Sequence, residues 1–256
     1  MLEVIDTHAH LDELDNPEPA LTKAKAAGVI AIVAVGSSHQ SNQKVLEICL
    51  NHLGFVYPAL GLHPWELGNL DSRRIDATLR LIEEKITHIS AIGEIGLDYD
   101  KRVIKVAPKE SQKEALKSLL GLARQYLKPV IIHSRYAWKD SFELVRDSGI
   151  EKAVFHWFTG FSSVLKDILN AGYFISATPA AEYHEEHRRA IRETPLEKLL
   201  LETDCPVKYG REAKYRSEPA DILRSLKAVA DLKQVDEPTI ALQTTHSATQ
   251  FFGFNA

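Results

Sequence analysis

Metal-binding side chains recur along the sequence, each at or just after the end of a short apolar segment. The first two are His8 and His10, in the stretch VIDTHAHLDE. Their spacing of two residues places both imidazoles on one face of a strand. The others are His63, Glu94, His133, His156 and Asp204. Imidazoles mixed with carboxylates are typical ligands of divalent ions, so the pattern predicts a metal site that activates water.

No member of this set is convincing by itself. A lone histidine after a strand is more often a hydrogen-bonded structural residue, Glu94 alone could be a paired buried carboxylate, and Asp204 alone could cap a helix. Ligand types at the ends of six separate segments are what favours a site. Asp6 lies deeper, and we interpret it as a hydrogen-bond partner of a ligand histidine or of another buried group. The histidines interpreted as surface or helix residues without a role are His39, His52, His88, His184 and His187.

The segments that carry the set are short and rich in β-branched residues, as buried parallel strands are. They span residues 2–6, 29–36, 55–61, 88–96, 129–133, 153–157, 173–177 and 198–204. Charged segments with helical periodicity lie between and after them. These segments predict helices at 18–27, 40–52, 72–85, 109–127, 138–148, 161–170, 184–192, 219–231 and 237–251.

Eight strand–helix units over residues 1–256 predict a single α/β domain, a (β/α)8 or TIM barrel. The alternative is an open doubly wound sheet. It is disfavoured because His-Ala-His follows the first strand, where that fold usually has a glycine-rich turn. The carboxyl ends of all barrel strands lie on one rim, so the metal-binding residues are expected to converge there.

Composition excludes several classes of protein. The chain has 256 residues and a net charge of −4, which argues against a broad basic face that grips duplex nucleic acid. Cys49 and Cys205 are far apart in sequence, so we expect no disulfide and a cytoplasmic location. Glu3 and Asp6 interrupt the N-terminal apolar run, which argues against a signal peptide. The longest apolar run, AAGVIAIVAVG, is too short to span a membrane.

Six motifs occur in an order and at a spacing that resemble one known family: DTHAHLD, GLHP, GEIGLDY, PVIIHSR, FHWFTG and LLLETDCP. This is the TatD family of metal-dependent nucleases, within the amidohydrolase-like barrels. The similarity runs from about residue 4 to the C-terminal TTHSATQFFGF. It implies a metal-dependent deoxyribonuclease, a 3'-5' exonuclease that acts on DNA ends or single strands. It implies no organic cofactor and leaves the oligomeric state open.

The resemblance also implies a centre of two divalent metal ions. His8 and His10 match the ligands of the first ion, and His133 and His156 match those of the second. Glu94 matches the carboxylate that bridges both ions. Magnesium or manganese is expected to support activity, with Zn, Fe or Co as alternatives that imidazole-rich ligation favours.

Two further residues are the expected catalytic residues. Asp204 matches the carboxylate that completes the first metal site and holds the attacking water, and His63 matches a contact to the substrate phosphate. By the same resemblance Arg135 and Tyr99 are expected to bind substrate at the same mouth.

The chain departs from the family pattern at a few positions. Trp157 follows the strand 6 histidine where the family often has a small residue, so its indole could narrow the mouth, stack on a base or simply pack against a helix. His246 stands where the last helix usually has asparagine. The 205–216 loop is unusual, and its Lys208 is either a phosphate contact or a solvated charge. These departures put substrate preference in doubt.

Two other functions stay open at this point. The first is an amidohydrolase-type enzyme that cleaves an amide, lactone or ester, including the ester of an aminoacyl-tRNA. Many such enzymes use a modified lysine where this chain has Glu94, and no lysine lies at the end of the fourth or fifth predicted strand. The second is a metal-binding protein without catalytic activity.

Overall fold

The apolar segments form strands because β-branched side chains pack well on a pleated, buried surface. The structure, a computed structural model, describes residues 2–254 apart from the side chain of Asn69. Eight parallel strands follow each other in chain order around one sheet. They are β1 (Val4–Ala9), β2 (Val29–Val35), β3 (Val56–Leu62), β4 (Ala91–Asp98), β5 (Val130–Arg135), β6 (Ala153–Phe155), β7 (Phe174–Ala177) and β8 (Leu199–Leu201). The predicted (β/α)8 barrel is confirmed.

The sheet closes between its first and last strands. Past the end of β8, the Asp204 N–H donates to the His8 carbonyl at 2.9 Å, and the His10 N–H donates to the Cys205 carbonyl at 2.8 Å. Closure removes the free edges that an open sheet would expose. It also brings residue 204 beside the two histidines of β1.

Helices connect the strands and cover the outside of the barrel, because their apolar sides pack on outward-facing strand residues. They are α1 (Glu18–Ala27), α2 (His39–Asn51), α3 (Ser72–Glu84), α4 (Lys101–Ile104), α5 (Lys109–Gln125), α6 (Trp138–Asp147), α7 (Ser162–Asn170), α8 (Glu185–Glu193), α9 (Ile222–Lys233) and α10 (Glu237–Phe252). Short 3-10 helices lie at Leu11–Glu13, Leu67–Asn69, Ile86–His88, Pro179–Glu182, Leu196–Lys198 and Pro219–Asp221. Within residues 2–254, no helix has the length and apolarity needed to traverse a lipid bilayer.

Two apolar clusters divide the core. The outer cluster joins the outward strand faces to the helices. The inner cluster fills the barrel with alternate strand residues, among them Ile5, Val33, Ile131 and Leu200. Phe251 and Phe252 of α10 belong to the inner cluster and close the amino-terminal end of the barrel. The opposite end, where the strands finish, is left open for polar side chains.

The structure corrects several boundaries. The last predicted strand, 198–204, ends at Leu201, because residues 202–204 turn away to pair with β1. The fourth strand starts later and runs further than predicted, through Asp98. The one-turn helix α4 and the hairpin of β9 (Lys208–Tyr209) and β10 (Tyr215–Arg216) were not predicted, since each is too short to show a periodic pattern.

Candidate active site

Strand alternation carries two of the predicted residues into the barrel. The inner-cluster residues Ile131 and Val154 precede His133 and His156 by two positions, so each imidazole faces the same interior. Asp204 arrives differently: it lies past the end of β8, with a positive φ of 48°, where its N–H bonds the His8 carbonyl.

In β1 and β4, by contrast, a register shift aims the side chains. Asp6 pairs with Ile32 and Ala9 with Ala34, so β1 holds one residue more than its neighbour over this stretch. The extra residue reverses the alternation, and His8 and His10 then flank the outward-facing Ala9. A similar shift between Ile92 and Ile95 turns Glu94 inward.

Close backbone approach around Glu94 requires glycine at Gly61 of β3 and at Gly96 of β4. A Cβ on Gly61 would lie 2.3 Å from the Glu94 carbonyl oxygen, and one on Gly96 would lie 1.9 Å from the His133 carbonyl oxygen. Both glycines therefore belong to the construction of the site.

Glu94 lies at the centre of the site and is only 2% exposed. Its Oε2 is 3.4 Å from His8 Nε2 and 3.3 Å from His10 Nε2. Its Oε1 is 2.9 Å from His133 Nδ1 and 2.8 Å from His156 Nε2. The two carboxylate oxygens thus face two different pairs of imidazoles.

Asp204 completes the group around the first pair. Its Oδ1 is 3.5 Å from both His8 Nε2 and His10 Nε2, and these two nitrogens are 3.1 Å apart. Burial raises the pKa of the Asp204 carboxyl to about 7, against the opposing influence of His156 and His10. Three ligand atoms of this kind within one small space form a candidate metal site.

Outer hydrogen bonds decide which ring nitrogen carries the proton. The Nδ1–H of His10 donates to the Val35 carbonyl at 3.1 Å, and the Nε2–H of His133 donates to Asp98 Oδ2 at 3.2 Å. In the neutral imidazoles of His10 and His133, the ring nitrogen that faces Glu94 therefore carries a lone pair. A lone pair directed at a shared carboxylate suits a cation between them, so the residues present fit a divalent metal.

His63 has the opposite arrangement. Its Nδ1 accepts the backbone N–H of Trp65 at 3.1 Å, so the neutral ring carries its proton on Nε2. That Nε2–H is directed inward, 3.4 Å from Glu94 Oε1. Burial lowers the pKa of His63 to about 4, so the ring is neutral near pH 7. His63, Glu94 and His133 lie close enough to share a metal. The neutral His63 ring, however, presents an N–H hydrogen-bond donor to the site instead of a lone pair.

Two carboxylates beside the candidate ligand histidines were not among the predicted site residues. Asp98 accepts from His133 and also from the indole N–H of Trp65 at 2.5 Å. Glu202 Oε1 lies 3.4 Å from His156 Nδ1 and accepts the backbone N–H of Trp157 at 3.1 Å. Two signals were available in the sequence: Asp98 lies in the motif GEIGLDY, four residues after Glu94, and Glu202 lies in LLLETDCP, two residues before Asp204.

Asp6 makes buried hydrogen bonds, which is the second of the two roles predicted for it. It accepts from the Thr203 N–H at 2.9 Å and the Thr203 hydroxyl at 2.5 Å, and it also accepts the His8 N–H at 3.3 Å. It faces away from the barrel interior and ties β1 to the segment that follows β8. Burial raises the pKa of its carboxyl to about 8.

The candidate metal ligands lie in a cavity of about 690 Å³. Arg135 and Trp157 line this cavity. Tyr99 does not belong to the described lining, and its hydroxyl donates to Asp140 at 2.8 Å. The substrate contacts expected of Arg135 and Tyr99 stay predictions. Lining residues that the sequence did not indicate include Trp65, Tyr136, Trp138 and His184.

His187, His246 and Lys208 lie away from the candidate metal ligands. His187 is a helix residue as predicted, but it is fully buried, where it accepts the Thr178 N–H at 3.1 Å and lies 3.1 Å from the Phe158 carbonyl. His246 is exposed on α10, at the closed end of the barrel. Lys208 is exposed and does not belong to the described lining.

Comparison with known proteins agrees with the sequence resemblance. Residues 5–253 match the family described as "TatD related DNase". The human protein named "Deoxyribonuclease TATDN3" is 33% identical over 259 residues, which cover 97% of this chain and 94% of that protein. The "3'-5' ssDNA/RNA exonuclease TatD" of Pantoea ananatis is 29% identical, with 92% and 93% covered. The crystal structure of YJJV, a TatD homolog from Escherichia coli, superposes with a TM-score of 0.89 at 27% identity over 98% of both chains.

Proposed function

Because the chain belongs to the TatD-related DNase family, we propose that it is a two-metal deoxyribonuclease that removes nucleotides from the 3' end of a single strand. The observation that carries this proposal is that each carboxylate oxygen of Glu94 faces a different pair of imidazoles. We take residues 1–256 as one hydrolase domain.

We assign the candidate ligands to two metal sites that share one carboxylate. His8, His10 and Asp204 would hold one ion, and His133 and His156 the other, with Glu94 common to both. Two divalent ions in such sites make water acidic enough to attack near neutral pH and withdraw charge from the phosphate. We expect magnesium or manganese to support activity, since the carboxylates are hard ligands, while the imidazoles also admit Zn, Fe or Co.

The chain's own residues supply proton transfer and substrate binding. We assign to Asp204 the orientation of the attacking water and the acceptance of its proton on a carboxylate oxygen. His63 donates its Nε2–H to a non-bridging phosphate oxygen, which its tautomer permits. Arg135 lines the same cavity and adds the charge of a guanidinium.

Charges around the cavity favour a strand end over a duplex. Arg135 is the one lysine or arginine in the described lining, and its Nη2 lies 3.3 Å from Asp100 Oδ2. The same lining contains three carboxylates outside the metal cluster, from Glu13, Glu66 and Glu186. Binding along a duplex relies on many phosphate contacts from basic side chains, which this cavity does not offer.

We also place the enzyme in the cytoplasm. Cys49 and Cys205 are both buried and free, as expected of a protein from a reducing compartment.

An end-labelling experiment tests the function. Metal-free protein is reloaded with Mg, Mn or Zn and given single- and double-stranded DNA and RNA, labelled at either end. We expect a ladder that shortens from the 3' end of single-stranded DNA and no cleavage with chelator. Cleavage of esters or amides but of no nucleic acid would replace the proposal with the amidohydrolase function, and bound metal without turnover on any substrate would indicate a non-catalytic protein.

A further inference from the structure

Exposed aromatic rings are concentrated at the open end of the barrel. Four aromatic side chains are strongly exposed in the described part of the chain: Trp65, Tyr126, Tyr136 and Phe161. Three of them follow β3, β5 and β6, at the rim of the cavity, and Tyr126 alone lies elsewhere, at the end of α5. Exposed apolar surface beside a cavity marks a place that another molecule covers.

Two of these rings join Trp138 in a continuous arrangement, here called the aromatic row: Tyr136, Trp138 and Phe161. The ring centroids of Tyr136 and Trp138 are 5.8 Å apart, and those of Trp138 and Phe161 are 5.3 Å apart. Tyr136 and Trp138 line the cavity, while Phe161 lies at the outer end, with 68% of its surface exposed. The aromatic row therefore runs from the exposed Phe161 to the cavity that also contains the candidate metal ligands.

Neighbouring groups hold the aromatic row in place. A Cβ on Gly160 would lie 2.5 Å from Trp138 Cγ, so only glycine lets the loop after β6 pack against that indole. The Arg189 guanidinium donates to the Gly160 carbonyl and, at 2.6 Å, to the Ser162 hydroxyl, which fixes the chain on both sides of Phe161. Rings held in this way lose little conformational freedom when a ligand binds.

The acidic lining of the cavity limits how strongly phosphates alone can be held. Base stacking on aromatic rings is independent of sequence, because every base has a π face, and it supports binding where charge is scarce. Arg135 lies at the inner end of the aromatic row, with its guanidinium 5.6 Å from the Tyr136 ring centre. The aromatic row and this one cation together suit a base and the phosphate attached to it.

We propose that the aromatic row is a platform on which unpaired bases of the substrate strand stack, beside the phosphate that is cleaved. The proposal rests on the proposed function and specifies how that site selects its substrate. Bases inside a duplex are already stacked and paired, so their faces are not available to protein rings. The platform therefore accepts single-stranded ends, and a duplex end must first open.

Two matched strands test the platform: a short single-stranded oligonucleotide, and the same oligonucleotide without its 3'-terminal bases. We expect Tyr136→Ala and Phe161→Ala each to raise KM for the normal strand roughly five- to 150-fold, the scale of one stacked base. The kcat should stay near wild type, and the abasic strand should show no further loss. Tyr126→Ala should behave as wild type on both strands, because it alters the exposed aromatic residue far from the rim.

Failure of the platform and failure of the nuclease function are distinguishable. Unchanged KM in both alanine variants, or an equal loss on the abasic strand, would overturn the platform while wild-type cleavage stands. If wild type cleaves neither strand, the proposed function fails. Fluorescence anisotropy of the labelled strands then decides the platform: weaker binding of the alanine variants to the normal strand alone supports it, and equal binding overturns it.

Discussion

The two ends of the barrel are made from the same strands and contain opposite kinds of side chain. At the closed end, Ile5 packs with Phe251 and Phe252 in an apolar cluster. At the open end, three residues further along β1, His8 is equally buried but faces Glu94. Apolar burial at one end stabilises the fold, whereas burial of polar groups at the other end is costly without partners. Substitutions at the two ends should therefore separate stability from activity.

Glu94→Gln should have the largest effect. The substitution keeps the shape of the side chain but removes the charge that both pairs of imidazoles share, so metal binding and catalysis fail together. We expect kcat/KM for a single-stranded oligonucleotide to fall on the order of a thousandfold, because the activation free energy rises by several kcal/mol.

The control is Glu114→Gln, an exposed carboxylate on α5, which should leave kcat/KM unchanged. Circular dichroism should show a folded protein in both variants. If the Glu94→Gln enzyme were active, Glu94 would not belong to the catalytic centre. Substitutions at the two ends of the barrel would then not separate activity from stability.

Phe251→Ala should show the converse behaviour. This ring is 2% exposed and packs edge-on against Phe174 at 5.3 Å, so truncation leaves a cavity at the closed end. The free energy of unfolding should fall by about 3–5 kcal/mol. The folded, metal-loaded enzyme should keep the wild-type kcat.

Chemical denaturation and kinetics on the same preparation check this prediction. Phe251→Leu is the milder companion variant if the alanine protein does not fold. A lower kcat at full metal occupancy would show that the closed end also shapes the active site.

His63→Ala should have an intermediate effect. Its Nε2–H is a donor to a group that exists only when substrate is bound, so metal content and fold should be retained. We expect a loss of about 1.5–3 kcal/mol, or roughly a tenfold to hundredfold fall in kcat/KM. Steady-state kinetics with parallel metal analysis separates the cases: loss of metal would make His63 a ligand, and unchanged kinetics would exclude it from the site.

His187 should have the smallest effect, and on stability alone. Burial lowers its pKa from 6.5 to about 4, so the folded protein keeps it neutral while the unfolded chain takes up a proton below pH 6.5. Stability is therefore lost as pH falls from 6.5 toward 4, by about 1.4 kcal/mol between pH 7.5 and 5.5. His187→Gln should remove this part of the pH dependence and leave activity near wild type at pH 7.5. Urea unfolding of both proteins at the two pH values measures it, and parallel pH profiles would contradict the assignment.

The sequence predicts the parts of the site that follow a regular pattern. Strand alternation places His133 and His156 inward from their position alone, and the order of the apolar segments predicts the barrel. The sequence does not reveal the register shifts that aim His8 and Glu94, since these depend on pairing with neighbouring strands. It also does not reveal the hydrogen bond from Tyr99 to Asp140, because that bond joins residues 41 positions apart.

Metal counting tests the central claim, that one carboxylate serves two ions, most directly. Titration of metal-free protein with manganese, followed by isothermal calorimetry or native mass spectrometry, gives the number of ions and their affinities. Wild type should bind two ions, Glu94→Ala should bind both more weakly, and His133→Ala should weaken mainly one. Full occupancy by two ions in Glu94→Ala, at wild-type affinity, would contradict the claim.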